Sequence, residues 1–291
     1  MKRSLFTTLA LCLSLAAWAQ ATADEPTLPE PSVKADPENL PEPDGAGGFI
    51  TMVDGPARVS VNAFGRAGQT SPGCAGVGTG FIMDTPDSVM CEHTDFLSTG
   101  GQVMAINEAN CQVLTPATLV NPQHAISSVV CGTCQVNFHH ALDGIGGQTW
   151  QTAISIYENG GPCRSGCYYT YTDYDVNGFS NNGGSWRPGP AGSPYGQFLV
   201  RNNVVMPGVK FMLSDASFDG PRASSHGQGE FPSVRTQISG FQQCLPLSNG
   251  PATFSGDWTG ALMYRFAGPG TEEQPHIIRY NHSRNDALAF P

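Results

Sequence analysis

Charge is what this sequence has least of: Lys, Arg, Asp and Glu make up only 13% of its 291 residues. The basic residues are outnumbered 24 to 14, which leaves a net charge of -10. A body so poor in positive charge excludes nucleic acid and anionic membrane surfaces as expected partners. Long apolar runs are missing as well. The one such stretch, residues 5–18, is too short to cross a bilayer comfortably, and no later run is longer. Membrane insertion of the mature chain is therefore not expected. No segment keeps a sustained helical period, and no internal repeat is found. The carboxylates show no paired pattern diagnostic of a glycosidase.

What is present points outside the cell. Lys2 and Arg3 precede the apolar run, which ends in Ala17-Trp18-Ala19 and then Ala21-Thr22-Ala23. That is the layout of a secretory signal peptide over residues 1–23, cleaved after Ala19 or Ala23; a transmembrane anchor is the alternative. Leu11 before Cys12 is too bulky for a usual lipobox, so no lipid anchor is expected, and the mature chain is secreted or periplasmic. Residues 24–48 hold six prolines and seven acids against Lys34 alone. Such a stretch cannot bury enough apolar surface to offset its chain entropy. It reads as a disordered spacer, with a bound pro-segment as the alternative. Eight cysteines follow: Cys74, Cys91, Cys111, Cys131, Cys134, Cys163, Cys167 and Cys244. An even count in an exported chain reads as four disulfides.

Residues 49–291 form one expected domain. Strand-like runs fall at 57–64, 77–83, 102–106, 117–120, 125–130, 148–157, 196–200, 209–213, 236–241, 261–266 and 276–280, separated by Gly, Pro, Asn or Asp. Many short strands with turn signals mean an all-β sandwich or barrel. Residues 177–194 read as a long Gly/Asn/Ser/Pro loop containing Trp186.

Two segments narrow this further. The first is Ala117-Thr118-Leu119-Val120-Asn121-Pro122-Gln123-His124-Ala125-Ile126-Ser127-Ser128-Val129-Val130-Cys131. It resembles the strand-turn-strand that delivers the catalytic histidine of chymotrypsin-fold serine proteases. With its Asn-Pro-Gln turn it is most similar to the protease domain of immunoglobulin A protease-like (S6) autotransporters. The second is Gly250-Pro251-Ala252-Thr253-Phe254-Ser255-Gly256-Asp257-Trp258-Thr259-Gly260-Ala261-Leu262-Met263-Tyr264, which resembles the nucleophile loop and the strand after it. The resemblance implies an all-β, two-barrel, trypsin-like fold with long loops and about four disulfides, one of them joining Cys131 to Cys111. It places Val130 at the histidine position and Trp258 at the serine position. Within Tyr171-Thr172-Asp173-Tyr174-Asp175 it places Asp173 at the acid, a solvated turn carboxylate being the alternative.

These substitutions have a direct chemical consequence. A serine nucleophile needs a base in hydrogen-bond reach and an acid to hold that base's tautomer. Valine has no lone pair, and an indole N–H only donates. The triad positions Val130, Asp173 and Trp258 are therefore degenerate, and no catalytic residue, metal or cofactor is expected. The implied function is that of a pseudoprotease. It would bind a protein or peptide through the old cleft, lined by Val130, Asp257, Trp258, Thr259 and Gly260. A shifted site, with Ser255 or Thr259 as nucleophile and His124 or His139 as base, would instead make an active secreted endopeptidase. A third class is a carbohydrate- or surface-binding β module built on Trp150, Trp186, Tyr168, Tyr169, Tyr171 and Tyr174, residues whose commoner use is core packing. Cys131-Gly132-Thr133-Cys134 with His139 and His140 has zinc-ligand spacing, but the even cysteine count favours disulfides. Cys163-Arg164-Ser165-Gly166-Cys167 most simply closes a local loop; the alternative sends each cysteine to a distant strand. In the native mature protein no thiol should be free: alkylation without prior reduction should add no mass, and two modified cysteines would refute the four-disulfide reading.

Overall fold

The computed structural model describes residues 48–55, 57–68, 90–143, 149–176, 181–188, 196–202, 210–216 and 221–284, all within the unit Leu40–Pro291. The expected signal peptide, the spacer up to residue 47, Cys74 and the 77–83 strand lie outside the described residues. Sixteen strands and one helix run in the order β1 (Phe49–Asp54), β2 (Ala57–Asn62), β3 (Ala67–Gly68), β4 (Glu92–Ser98), β5 (Met104–Ala105), β6 (Cys111–Asn121), β7 (His124–Cys131), β8 (Cys134–Asp143), β9 (Thr149–Glu158), β10 (Ser165–Asp173), β11 (Asn181–Pro188), β12 (Gly196–Asn202), β13 (Lys210–Asp215), β14 (Ala223–Glu230), α1 (Ser233–Ser239), β15 (Thr253–Ala267) and β16 (His276–Arg284). The all-β expectation holds.

The strands form two sheets that share β15. In the first, β1-β2-β3-β4-β10-β15 lie side by side, with β5 also beside β4 and β14 also beside β15. In the second, the order continues from β15 through β11-β12-β13-β16-β9-β8-β7 to β6. The path runs openly from β1 to β6, and the described strands close no barrel, so the expected pair of barrels does not appear. The reason is visible in β15. Residues 259–267 pair with β10, while residues 253–257 pair with β11. One strand thus leaves the first sheet and enters the second, and the sheets lie face to face. Gly256 sits at this crossing with φ of 151°, a conformation open to glycine.

The inward faces follow strand alternation. β8 contributes Val136, Phe138, His140 and Leu142, and β9 contributes Trp150, Ile154 and Ile156, all buried. From the first sheet come Leu97, Tyr168, Leu262, Tyr264 and Phe266, in the same core cluster. A second, smaller core lies on the outer face of the first sheet. There Val234, Ile238 and Phe241 cover Phe96, Tyr169, Tyr171, Ala261 and Met263. Residues 236–241, expected as a strand, are in part helix α1. The spacing Val234, Ile238, Phe241 is the i, i+4, i+7 of one helical face, too short to register as a sustained period. Part of the expected 177–194 loop is the strand β11.

Three disulfides staple the sheets: Cys111–Cys131, Cys134–Cys163 and Cys167–Cys244, and Cys91 is also disulfide-bonded. Cys111 and Cys131 stand opposite each other on paired strands. Cys163 and Cys167 do not close a local loop. Cys163 enters the core between the sheets, whereas Cys167 faces the outer cluster under α1, so the two thiols point to opposite sides.

Trp258 depends on two glycines. A Cβ on Gly184 would strike its indole Nε1, and one on Gly260 would lie 2.5 Å from its ring. Trp258 Nε1 donates to Gln228 Oε1 at 2.8 Å. The substitution Gly184→Ala should therefore overpack this slot and cost about 1–3 kcal/mol, read as a lower denaturant midpoint; an unchanged midpoint would show that the slot is not tight.

Candidate functional site

The residues singled out by the protease resemblance divide into two groups. Asp173 pairs with Thr259 across β10 and β15, so Asp173, Asp257, Trp258, Thr259 and Gly260 come together. Val130 does not join them. It stands on the face of β7 opposite Val129 and Cys131, which are buried in the core. Between β7 and β15 the strand order places β11, β12, β13, β16, β9 and β8. Trp258 and Thr259 have no exposed surface, so they do not line an open cleft.

The shifted-site residues lie on separate strands, Ser255 and Thr259 on β15 and the two histidines on β7 and β8. His124 lies on β7, hydrogen-bonded to Asn121 at 3.1 Å, and His139 lies on β8. Thr259 donates its hydroxyl to the Gly229 carbonyl at 3.2 Å. Two histidines do meet threonine hydroxyls, His93 with Thr172 at 3.0 Å and His140 with Thr152 at 3.1 Å. Both pairs are sealed between the sheets. Cys131 and Cys134 are each spent in a disulfide, which removes the thiolates a zinc site would need. Trp150, Tyr168, Tyr169, Tyr171 and Tyr174 are buried, and Trp186 is stacked on His226 at 3.6 Å between ring centroids. These aromatics are packing residues and form no exposed platform.

What the β10–β15 junction assembles is a set of carboxylates. Asp173, Asp175 and Asp257 each bring an oxygen to a point where all three lie within 4.8 Å of one another. Asp173 is only 2% exposed. Burial, then the charges of Asp175, Asp257 and Glu92, push its carboxyl up to about 9 against the weaker pull of Arg235. Burial and then Asp257 push Asp175 up to about 6. Asp257 is raised by burial and then by Glu230. Arg235, on α1, is held by both oxygens of Glu92 at 2.9 and 2.7 Å. Chemically the cluster is an oxygen-only donor set, suited to a hard cation. Asp175 was not marked as a site residue by the sequence reading. The signal lay in the alternation Asp173-x-Asp175 followed by Asn177-Gly178.

A second exposed feature is β6, the last strand of the second sheet. Among the described strands none pairs with its outer edge. Its residues carry no charged side chain, while Leu114 and Val120 are 47% and 62% exposed.

No protein-family model matches the chain, and no curated protein matches it in sequence. Among solved structures it is similar to a bacterial glucoamylase complexed with acarbose, at a TM-score of 0.53 and 10% identity, over 86% of this chain and 36% of that one. A family 92 glycosyl hydrolase is a weaker neighbour, at a TM-score of 0.39 and 8% identity, over 84% and 29% of the two chains. The first likeness is one of fold alone, and the chain spans about a third of the length of either enzyme. No helix among the described residues is long and apolar enough to cross a membrane, and the disulfides fit an oxidising compartment.

The buried carboxyl has a pH consequence. Its folded pKa, pushed up to about 9, lies above the ordinary aspartate value of 3.8. The folded chain therefore holds a proton that the unfolded chain releases. The stability tied to that proton is complete below the unfolded value and is lost as pH rises through the folded one. In a chelating buffer, Asp173→Asn should gain on the wild type by on the order of a few kcal/mol between about pH 4 and pH 8. Urea unfolding at the two pH values measures this, and a pH-independent difference would mean that Asp173 is ionised in the folded chain.

Proposed function

We propose that this chain is an exported, non-catalytic binding module for an extended protein or peptide segment, a pseudoprotease in the sense of its two sequence resemblances. Kinship with chymotrypsin-type proteases, two-barrel ancestry included, rests on residues 117–131 and 250–264. The non-catalytic part is supported by chemistry: the sequence resemblance assigns the base and nucleophile positions to Val130 and Trp258, which can do neither job, and the histidine–threonine pairs that do form are sealed from substrate.

The observation that carries the peptide reading is the edge of β6. Long uncharged edges are usually guarded by charge, proline or bulges. Here Pro116 and three register breaks against β7, between Val113 and Asn121, interrupt the strand, yet no charge guards it, and Leu114 and Val120 remain exposed toward solvent. An extended peptide adding to such an edge gains main-chain hydrogen bonds, with alternate side chains available for selection. A library of short unstructured peptides passed over the immobilised mature protein should leave members rich in β-branched residues. The double variant Leu114→Lys, Val120→Lys should lose that retention by tenfold or more without loss of fold. Stoichiometric fluorophosphonate labelling of a Ser or Thr would overturn the non-catalytic reading, and undiminished retention by the variant would overturn the choice of β6.

A further inference from the structure

We propose that Asp173, Asp175 and Asp257 form a calcium site where β10 and β15 run side by side. Three oxygens all within 4.8 Å of one another fit one such ion. With calcium–oxygen distances of about 2.3–2.6 Å, two ligands of the same ion stand at most about 5 Å apart. The donor set holds oxygen only. Among the described residues no imidazole or thiolate joins it, which sets it apart from sites for zinc and softer metals.

Converging acids do not by themselves make a site, and here a separate observation points to a ligand. Asp173 is 2% exposed, and its Oδ1 is buried with no hydrogen-bond donor; Asp175 Oδ1 is in the same state. A buried carboxylate oxygen left without a partner is costly. The guanidinium on this side of the sheet, Arg235, is committed to Glu92. Neighbouring groups add negative charge: Glu230 Oε1 lies 3.4 Å from the backbone nitrogen of Asp257.

The sequence spacing agrees. Asp173-x-Asp175-x-Asn177-Gly178 repeats the first six positions of calcium loops, in which acids or amides at positions 1, 3 and 5 are ligands and glycine at 6 permits the turn. Asn177 and Gly178 lie outside the described residues, and the assignment stands on the three aspartates without them. The chain departs from that pattern at position 12, where Gly184 replaces the usual glutamate. Asp257 supplies a carboxylate from another strand instead. The site therefore ties the end of β10 to β15 beside the crossing between the two sheets.

The test uses the full mature chain, dialysed against EDTA and titrated with calcium chloride by calorimetry. One ion should bind per chain, in the range of extracellular modules (about 10⁻⁴–10⁻³ M) or tighter, and Tm should rise with calcium. Terbium in place of calcium should show luminescence sensitised by Trp258 and Tyr174, the chain neighbours of the ligands. Asp257→Asn, at a partly exposed position, should lower calcium affinity at least tenfold while its Tm in EDTA stays at or above that of the wild type, since one repelling carboxylate is gone. Asp175→Asn should do the same. Absence of calcium binding by the wild type at concentrations on the order of ten millimolar would overturn the proposal. So would unchanged affinity in both variants, or tighter binding of magnesium than of calcium.

Discussion

The fold depends on one constraint: β15 belongs to both sheets. Its C-terminal part is a central strand of the first sheet, flanked by β10 and β14, and its N-terminal part begins the second by pairing with β11. Breaking the register of this strand would therefore disturb both faces of the sandwich, because a one-residue slip in a strand exchanges its buried and exposed sides. Trp258 sits just past the crossing. Its ring needs Gly184 from one sheet and Gly260 from the other, and it stacks on Tyr174. The register is pinned by shape at the place where the two pairings meet.

The interior that this strand encloses is unusually polar. His93 on β4 reaches Thr172 through Nδ1 and the Tyr280 hydroxyl through Nε2, and Tyr280 donates to Asp95 at 3.0 Å. Since Tyr280 gives its proton to Asp95, it accepts from the Nε2–H of His93. This chain links the first sheet to the second by hydrogen bonds as well as by apolar contact. Around it Trp150 stacks on His282 at 4.6 Å, and Tyr174 bonds the same histidine. Burial pushes His140 down to about 3 and His282 well below its usual range, so both are neutral at physiological pH. The network is only partly satisfied: Asp95 Oδ1, His140 Nε2, Trp150 Nε1 and His282 Nε2 are buried without a hydrogen-bond partner. It fixes which inward faces meet in a way that interchangeable aliphatic side chains would not.

Much of the strand content was legible because it carries the ordinary signals. β2, β7, β9, β12 and β16 alternate or bunch their apolar residues between turn residues. The strands that escaped notice fail those signals for physical reasons. β4 reads Glu-His-Thr-Asp-Phe-Leu-Ser, yet all seven residues are buried. Three of its polar side chains, Glu92, His93 and Asp95, are held by partners far along the chain, Arg235 and Tyr280 among them, which no local window contains. β11 reads as loop because its first five residues are Asn, Gly and Ser; of these Gly184 leaves room for Trp258, while Gly196 on β12 leaves room for Trp186. The disulfide between Cys111 and Cys131 was implied by the resemblance and is present. That of Cys167 with Cys244 spans 77 residues and could not be chosen by nearness.

The site shows what a likeness in strand and loop does and does not carry. Reading residues 250–264 as a nucleophile loop drew attention to Asp257, Trp258, Thr259 and Gly260, and the structure gathers these with Asp173. Their shared location follows from β10 pairing with β15, a property of the backbone. Their chemistry follows from side chains that are not those of a serine-protease nucleophile loop. Trp258 is turned inward as a packing residue, and Thr259 donates to a main-chain carbonyl. The acid that would have oriented a histidine is buried among other acids. With Asp175, Asp257 and Glu92 acting on it, Asp173 meets mainly like charges, against the weaker pull of Arg235. A carboxylate in that position has two ways to lower its energy, to keep a proton or to share a cation. Since calcium needs ionised carboxylates, the first excludes the second, so proton and cation compete for the same buried oxygens.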